Sequence, residues 1–278
     1  MQTHDNLQQE VNEYFESSSA YWQNIYAEKE LLPRIYQDRH TTTLAWIRRL
    51  GLRKEARILE VGCGAGLMSV ELAIDGYTVD AMDSTSSMLH VTQKNARVHG
   101  VKNRVRLHLA DVHMLPFEAS TFDLVIAIGV IPWLHSEQVG FEEMQRVLKP
   151  GGYLLITADN DARLIRTLDP ASCPLFAPLR KIAKRMLQRF GSWSPANGFQ
   201  AKRHDRHEIH RLMNRSGFEE LRSCTVGFGP FTFFGRRLFP DSMGTRIHQR
   251  LQTLASRPRW SLLRWSGSHY LVLAAKIN

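Results

Sequence analysis

Residues Arg57 to Gly66 read R-I-L-E-V-G-C-G-A-G, and this stretch governs how the rest of the chain is read. Ile58, Leu59 and Val61 form a short apolar run of the kind that fills a buried parallel strand, with Glu60 near its carboxyl end. The run stops in a loop whose Gly62, Gly64 and Gly66 can take backbone conformations that a side chain would forbid. The chain can therefore turn sharply there, and a ligand can touch main-chain atoms. A helix is predicted to start at about Leu67. Strand, glycine loop and helix start together make a nucleotide-binding crevice at the carboxyl edge of a parallel sheet.

The grammar of the loop separates rival ligands. A G-x-G-x-x-G dinucleotide fingerprint would need its third glycine where Leu67 stands, and no G-x-x-x-x-G-K-[ST] phosphate loop occurs anywhere. The pattern is E-x-G-x-G-x-G. At this point the chain resembles the class I, seven-stranded S-adenosylmethionine-dependent methyltransferases, whose first motif has this form. S-adenosylmethionine carries no phosphate, and its methionine end has an ammonium, so an acid at a strand end suits it better than an anion-binding helix terminus would. A tight turn without a ligand is the blander reading of the glycines taken alone.

Working outward, Leu67 to Asp75 reads as a helix ended by Gly76, and Tyr77 to Met82 as a second strand ending at Asp83. An acid about 20 residues beyond the glycines is placed to hold a ribose diol with two oxygens. Ser86 to His99 follows as a helix with Met88 early in it. The resemblance implies that Met88 packs on an adenine; simple helix core is the alternative. Val105 to Ala110 is the third strand, and Asp111 ends it within L-A-D-V-H-M-L-P-F. In the resembling family the acid here accepts from the adenine amino group, which makes Asp111 and Val112 candidates. Asp123 to Val130 is the fourth strand, and its carboxyl end, Ile128 to His135, faces the methyl group in that architecture. Glu137 to Leu148 is the next helix, and L-K-P-G-G then turns into a fifth strand, Tyr153 to Ala158. The cofactor implied is S-adenosyl-L-methionine, held by Glu60, Gly62, Gly64, Gly66, Asp83, Met88, Asp111, Val112 and Ile128, with no metal.

Before this core, Asn6 to about Leu50 reads as helical, with one break near Ser17 to Ser19 and another around Pro33. Tyr14, Phe15, Tyr21, Trp22, Ile25 and Tyr26 make it dense in aromatics. The opening V-N-E-Y-F-E-S-S-S-A-Y-W resembles the arms with which small-molecule methyltransferases close over cofactor and substrate; core packing is the alternative. Beyond the core, Leu179, Ile182, Met186 and Leu187 recur at helical spacing opposite Arg180, Lys181, Lys184, Arg185 and Arg189, a basic amphipathic pattern. Asp205 with Glu208 reads as a helix cap. The sixth strand is Phe218 to Val226 and the last is Ser268 to Lys276. Some 40 residues rich in aromatics and arginine stand between them, where the resembling family has a short hairpin.

The expected fold is therefore α/β, a Rossmann-like, mostly parallel seven-stranded sheet with helices on both faces. Residues 1–50 form an amino-terminal helical arm, 51–160 the S-adenosylmethionine-binding core, and 161–278 complete the sheet with basic, aromatic-rich insertions. At 278 residues the chain can bury a full core without staples, and its three scattered cysteines offer no zinc spacing. A polar amino terminus and the lack of a long apolar stretch point to the cytoplasm. The net charge of +9 is uneven: 21 Lys/Arg against 7 Asp/Glu from residue 161 onward, and 15 against 20 before it. That surplus fits an acidic substrate or peripheral attachment to the inner, anionic face of a membrane; a merely solvated basic surface is the alternative. Phe228, Phe231, Phe233, Phe234 and Phe239 are expected to line a cavity, cover the core or meet lipid.

These features describe a methyltransferase acting on a small or lipid-like acceptor, similar in its central motifs to the ubiquinone and menaquinone biosynthesis type. A non-catalytic binding module with the same fold is the second reading. Nucleic acid is the weaker partner, since the N-P-P-[YF] motif of amino-group DNA methyltransferases is absent. An oxygen acceptor needs its proton removed, and His135, just past the fourth strand, is the candidate base; a pocket-shaping histidine is the alternative, and Tyr21 and His113 are weaker options.

Overall fold

The computed structural model describes residues 2–25, 28, 30–182 and 201–277. The strands are β1 (Arg57–Val61), β2 (Thr78–Asp83), β3 (Val105–Leu109), β4 (Phe122–Ala127), β5 (Leu148–Asp159), β6 (Phe218–Val226), the short pair β7 (Thr232–Phe233) and β8 (Arg236–Arg237), and β9 (His269–Lys276). Seven of them form one sheet in the order β3-β2-β1-β4-β5-β9-β6. The first five run parallel, and β9 lies antiparallel between β5 and β6. This is the mostly parallel seven-stranded sheet that the sequence predicts. One strand end differs: β4 stops at Ala127 instead of running to Val130, because Gly129 takes φ +76° and carries the chain out of the sheet.

The helices that frame this sheet are α1 (Gln2–Asn24), α2 (Leu31–Arg49), α3 (Leu67–Ile74), α4 (Ser86–Val98), α5 (Glu137–Val147), α6 (Leu164–Leu168), α7 (Arg206–Arg215) and α8 (Asp241–Ala255). Successive strand residues point to opposite faces, so the sheet feeds two cores. Leu59, Val61, Val125 and Ile156 meet Phe141 and Met144 of α5 and Ile209 and Met213 of α7. Ile58, Leu124, Ile126 and Leu155 meet Leu44 and Ile47 of α2 and Met68 and Leu72 of α3. Asp205 caps α7 as expected, its side chain accepting from Glu208 N at 2.7 Å.

The amino-terminal arm corrects one expectation. No break occurs at Ser17 to Ser19, and α1 runs through unbroken. The hydroxyls of Ser17 and Ser18 donate to Tyr14 O (2.9 and 2.7 Å), so the side chains that could compete with the helix bond to its own backbone instead. The second break holds: α2 starts at Leu31 and keeps Pro33 in its first turn, where a missing N–H is no loss. Tyr26 lies outside the described residues.

α1 crosses the carboxyl edge of the sheet. Ser84, just past β2, donates to Asn12 Oδ1 (2.8 Å), Tyr14 stacks on Trp133 with ring centroids 5.1 Å apart, and Phe15 meets the same indole edge-on at 5.0 Å. The segment between β6 and β9 packs instead on α2. His248 of α8 is fully buried, and its Nδ1 accepts from Phe228 N (3.0 Å), so its proton is on Nε2, which donates to Asp38 Oδ2 of α2 at 2.9 Å. Of the phenylalanines in this segment Phe228 is buried, whereas Phe233 and Phe234 at the β7–β8 turn are 48% and 66% exposed. Asp169 ties that turn down, accepting from Thr232 Oγ1 and Gly235 N. Leu179, Arg180, Lys181 and Ile182 are described, and they stay partly or largely exposed. Lys184, Arg185, Met186, Leu187 and Arg189 of the basic amphipathic pattern lie outside the described residues.

Candidate active site

A single chamber opens at the carboxyl edge of β1, β2 and β4 beneath α1. Glu60 from β1, Gly62 and Gly64 of the loop, Asp83 from β2 and Met88 of α4 all face it. Asp111 and Val112 past β3 and Ile128 past β4 complete that end. Gly66 is the one predicted cofactor glycine outside the lining. Its φ is +72°, and a Cβ there would meet Thr92 Oγ1 at 2.6 Å, so it serves the close packing of loop on α4. Gly64, at φ +54°, differs: a Cβ built on it meets nothing within 4 Å. The space over the loop is open on the chamber side.

The acids have distinct environments. Glu60 is only 5% exposed and accepts a short hydrogen bond from Ser69 Oγ. Burial pushes its carboxyl up to about 7, against the lowering influence of Ser69. Asp83 is also buried, and burial raises its carboxyl too, although Gly64 N and Thr85 oppose the shift. Its Oδ2 accepts from Gly64 N (2.9 Å), and its Oδ1 accepts from Thr85 N (3.0 Å) and Thr85 Oγ1 (2.9 Å). The Ser84 N–H bonds this carboxylate as well, so the protein itself takes most of its four or so lone-pair sites. For Asp111 burial raises the carboxyl, but hydrogen bonds from His113 outweigh it and hold the group below its ordinary value.

His135 lies apart from the chamber lining. Its ring stacks on His113, with centroids 3.5 Å apart, and His113 Nδ1 in turn lies 2.6 Å from Asp111 Oδ1. His113 Nε2 accepts from Ser136 N (3.3 Å), which places its proton on Nδ1 toward Asp111. Asp111, His113 and His135 bring three ligand-type atoms within 4.8 Å of one another. With both nitrogens of His113 engaged, the group is built as a hydrogen-bonded stack. Tyr21 lies outside the lining and is 44% exposed; burial first, then Glu28, raises its hydroxyl above the ordinary value.

At the other end of the chamber the aromatic arm and the segment after β4 come together as expected, whereas Tyr36, Arg39, His40, Asp159 and His269 were not foreseen from sequence. Phe15 and Trp22 of α1, Tyr36, Arg39 and His40 of α2, Pro132 and Trp133, and Asp159 and His269 line it. A signal for Arg39 did exist. Leu31, Ile35, Arg39 and Thr43 follow one another at four-residue spacing and all are buried, so an arginine occupies a core position of the α2 stripe. The groups present fit a ligand with a cationic amine, a vicinal diol and an aminopurine: a buried acid able to ionise, a carboxylate at the end of β2, and a second carboxylate beside an apolar slot of Met88 and Val112.

Comparison with known proteins agrees with this architecture. A family model described as a methyltransferase domain matches residues 59–156. The ubiquinone/menaquinone biosynthesis C-methyltransferase of Blochmanniella pennsylvanica is 32% identical over 179 residues, covering 62% of this chain and 69% of that protein. The malonyl-[acyl-carrier protein] O-methyltransferase of Enterobacter lignolyticus is 34% identical over 114 residues, 41% of this chain; this chain spans only 43% of its length. In fold, the crystal structure of magnesium protoporphyrin IX methyltransferase from Synechocystis with bound SAH is similar, with a TM-score of 0.63 at 16% identity over 96% of this chain and 97% of that one.

Proposed function

We propose, given that this chain belongs to the family of S-adenosylmethionine-dependent methyltransferases, that it transfers the methyl group of S-adenosylmethionine to a small or lipid-like acceptor. The observation that carries the reading is the convergence of Glu60, Asp83 and Asp111, from three neighbouring strands, on one chamber that the glycine loop leaves open. Bound S-adenosylmethionine would supply an electrophilic methyl group on a sulfonium. In this reading Glu60 faces the amino group, Asp83 holds the ribose, and Asp111 with Val112 meets the adenine edge while Met88 packs on its face. Ile128, where β4 leaves the sheet, borders the acceptor side. α1 closes the chamber over these groups through Phe15 and Trp133 and keeps water from the reacting atoms, so that positioning supplies much of the rate. We assign His135 to the stack on His113. The purified protein, methyl-labelled S-adenosylmethionine and a small-molecule extract should yield a labelled product. Tight cofactor binding with no transfer to any fraction would leave the non-catalytic binding module as the function.

We further propose peripheral contact with anionic membrane. No helix among the described residues is long and apolar enough to cross a bilayer. The β7–β8 turn, however, presents the exposed pair Phe233 and Phe234 beside Arg236 and Arg237, and Leu175 and Leu179 are exposed in the region that Asp169 links to it. A basic residue near an anionic surface contributes on the order of 1 kcal/mol, and salt screens it. The protein should co-sediment with vesicles containing anionic lipid, less so at high salt, and less when Phe233 and Phe234 are both changed to serine. Equal recovery in the supernatant with anionic and neutral vesicles at low salt would remove this partner.

A further inference from the structure

The acceptor end of the chamber contains a cation that the fold does not neutralise. Arg39 is 6% exposed, and its Nε has no hydrogen-bond partner among the described residues. Its guanidinium lies over the Tyr36 ring, 4.7 Å from the centroid, and against Gly129: a Cβ on that glycine would stand 3.3 Å from Nη1. The glycine at the mouth of β4 therefore makes room for the arginine beside the edge where the methyl acceptor has to lie. Arg163 is close by, and its Nε is likewise buried without a partner among the described residues.

Around these two groups the arginines outnumber the carboxylates. Asp159 is the carboxylate they face, yet within 4 Å among the described residues it pairs with His269 Nε2 (3.8 Å) and with neither arginine. His269 adds no negative charge, and burial, then Arg39 and Arg163, hold it well below the ordinary imidazole range, so it is neutral. Asp161 is taken by Arg166 and Arg203. A buried guanidinium without a matched anion is costly, and the cost is removed when a ligand brings the anion.

We infer that the acceptor is an amphipathic monoacid whose carboxylate seats on Arg39, with Arg163 behind it, while its apolar body lies against Phe15, Tyr36 and Trp133. The inference rests on the methyltransferase reading for which molecule fills that end. A planar carboxylate matches the guanidinium fork, and its charge offsets part of the positive surplus.

Calorimetric titration of the S-adenosylhomocysteine-loaded protein with 1-naphthylacetate and with its uncharged amide tests this. The acid should bind at least about tenfold more tightly than the amide, the size of a charge-assisted bond. Arg39→Gln should erase the preference and Arg163→Gln should reduce it, with affinity for S-adenosylhomocysteine kept in both. Equal binding of acid and amide, no binding of either up to about 1 mM, or a preference that survives Arg39→Gln would overturn the inference alone. Failure of the unaltered protein to bind S-adenosylhomocysteine would overturn the methyltransferase reading and this inference with it.

Discussion

Replacing Asp83 with alanine is expected to weaken binding of S-adenosylmethionine by roughly 10- to 150-fold, the loss of about 1.5 to 3 kcal/mol for one charge-assisted hydrogen bond. No more than one bond is counted because Thr85, Gly64 and Ser84 already take most of the carboxylate's acceptor sites. The same carboxylate fixes the glycine loop to the end of β2, so alanine also leaves Gly64 N without its acceptor. Asp83→Asn separates the two effects: an amide oxygen can still accept from the loop, but it carries no charge for the ribose. Affinity measured by calorimetry should fall in the order wild type, asparagine, alanine. Unchanged affinity in the alanine variant would place the ribose elsewhere.

Glu60→Gln should stabilise the protein and cripple it together. A carboxyl pushed up to about 7 in the fold, from an ordinary value near 4.5, keeps its proton where the unfolded chain has released it. Its contribution is therefore neutral below about pH 4.5, grows unfavourable as pH rises, and reaches about 3 kcal/mol above pH 7. Glutamine removes that cost and can still accept from Ser69. Melting curves should then coincide near pH 4 and separate at pH 8, with the variant higher. Cofactor affinity should move the other way, since the amine loses its anionic partner. In the unaltered protein affinity should climb about fivefold between pH 6 and pH 7 as Glu60 ionises, and in the variant that slope should flatten. A variant less stable at pH 8, or one that binds as tightly as wild type, would contradict the placement of Glu60.

The sheet was legible because its parallel strands read as short apolar runs or, for β3, as an alternating V-R-L-H-L, and the helices between them carry their own periodicity. That Glu60, Asp83 and Asp111 share one chamber was legible for a related reason. Glu60, Asp83 and Asp111 sit at strand ends, where main-chain geometry alone decides which way a side chain faces. The opposite end was legible only in part, the arm with Phe15 and the segment with Trp133, because its other walls come from distant segments: Tyr36 and Arg39 on α2 and His269 on β9. No local pattern joins them, and only the crossing of α1 over the sheet brings them together. His135 illustrates the limit of reading position along the chain. It follows the fourth strand as expected, yet a short 3₁₀ turn at Ile131–Trp133 presents Trp133 and Leu134 to the chamber and turns the histidine onto His113. Ser17 and Ser18 misled differently, since residues that favour caps can also bond back within a helix.

The place of β9 bears on how the molecule is made. Because β9 lies between β5 and β6, neither of those strands has its neighbour until residues 269–276 have left the ribosome. At about 5 to 20 residues per second, β5 waits roughly 5 to 20 s with one edge open, long after β1 to β4 can have paired. An unpaired strand edge is a template for other chains. During synthesis the open edge of β5 is thus the part of the nascent sheet most exposed to pairing with another chain.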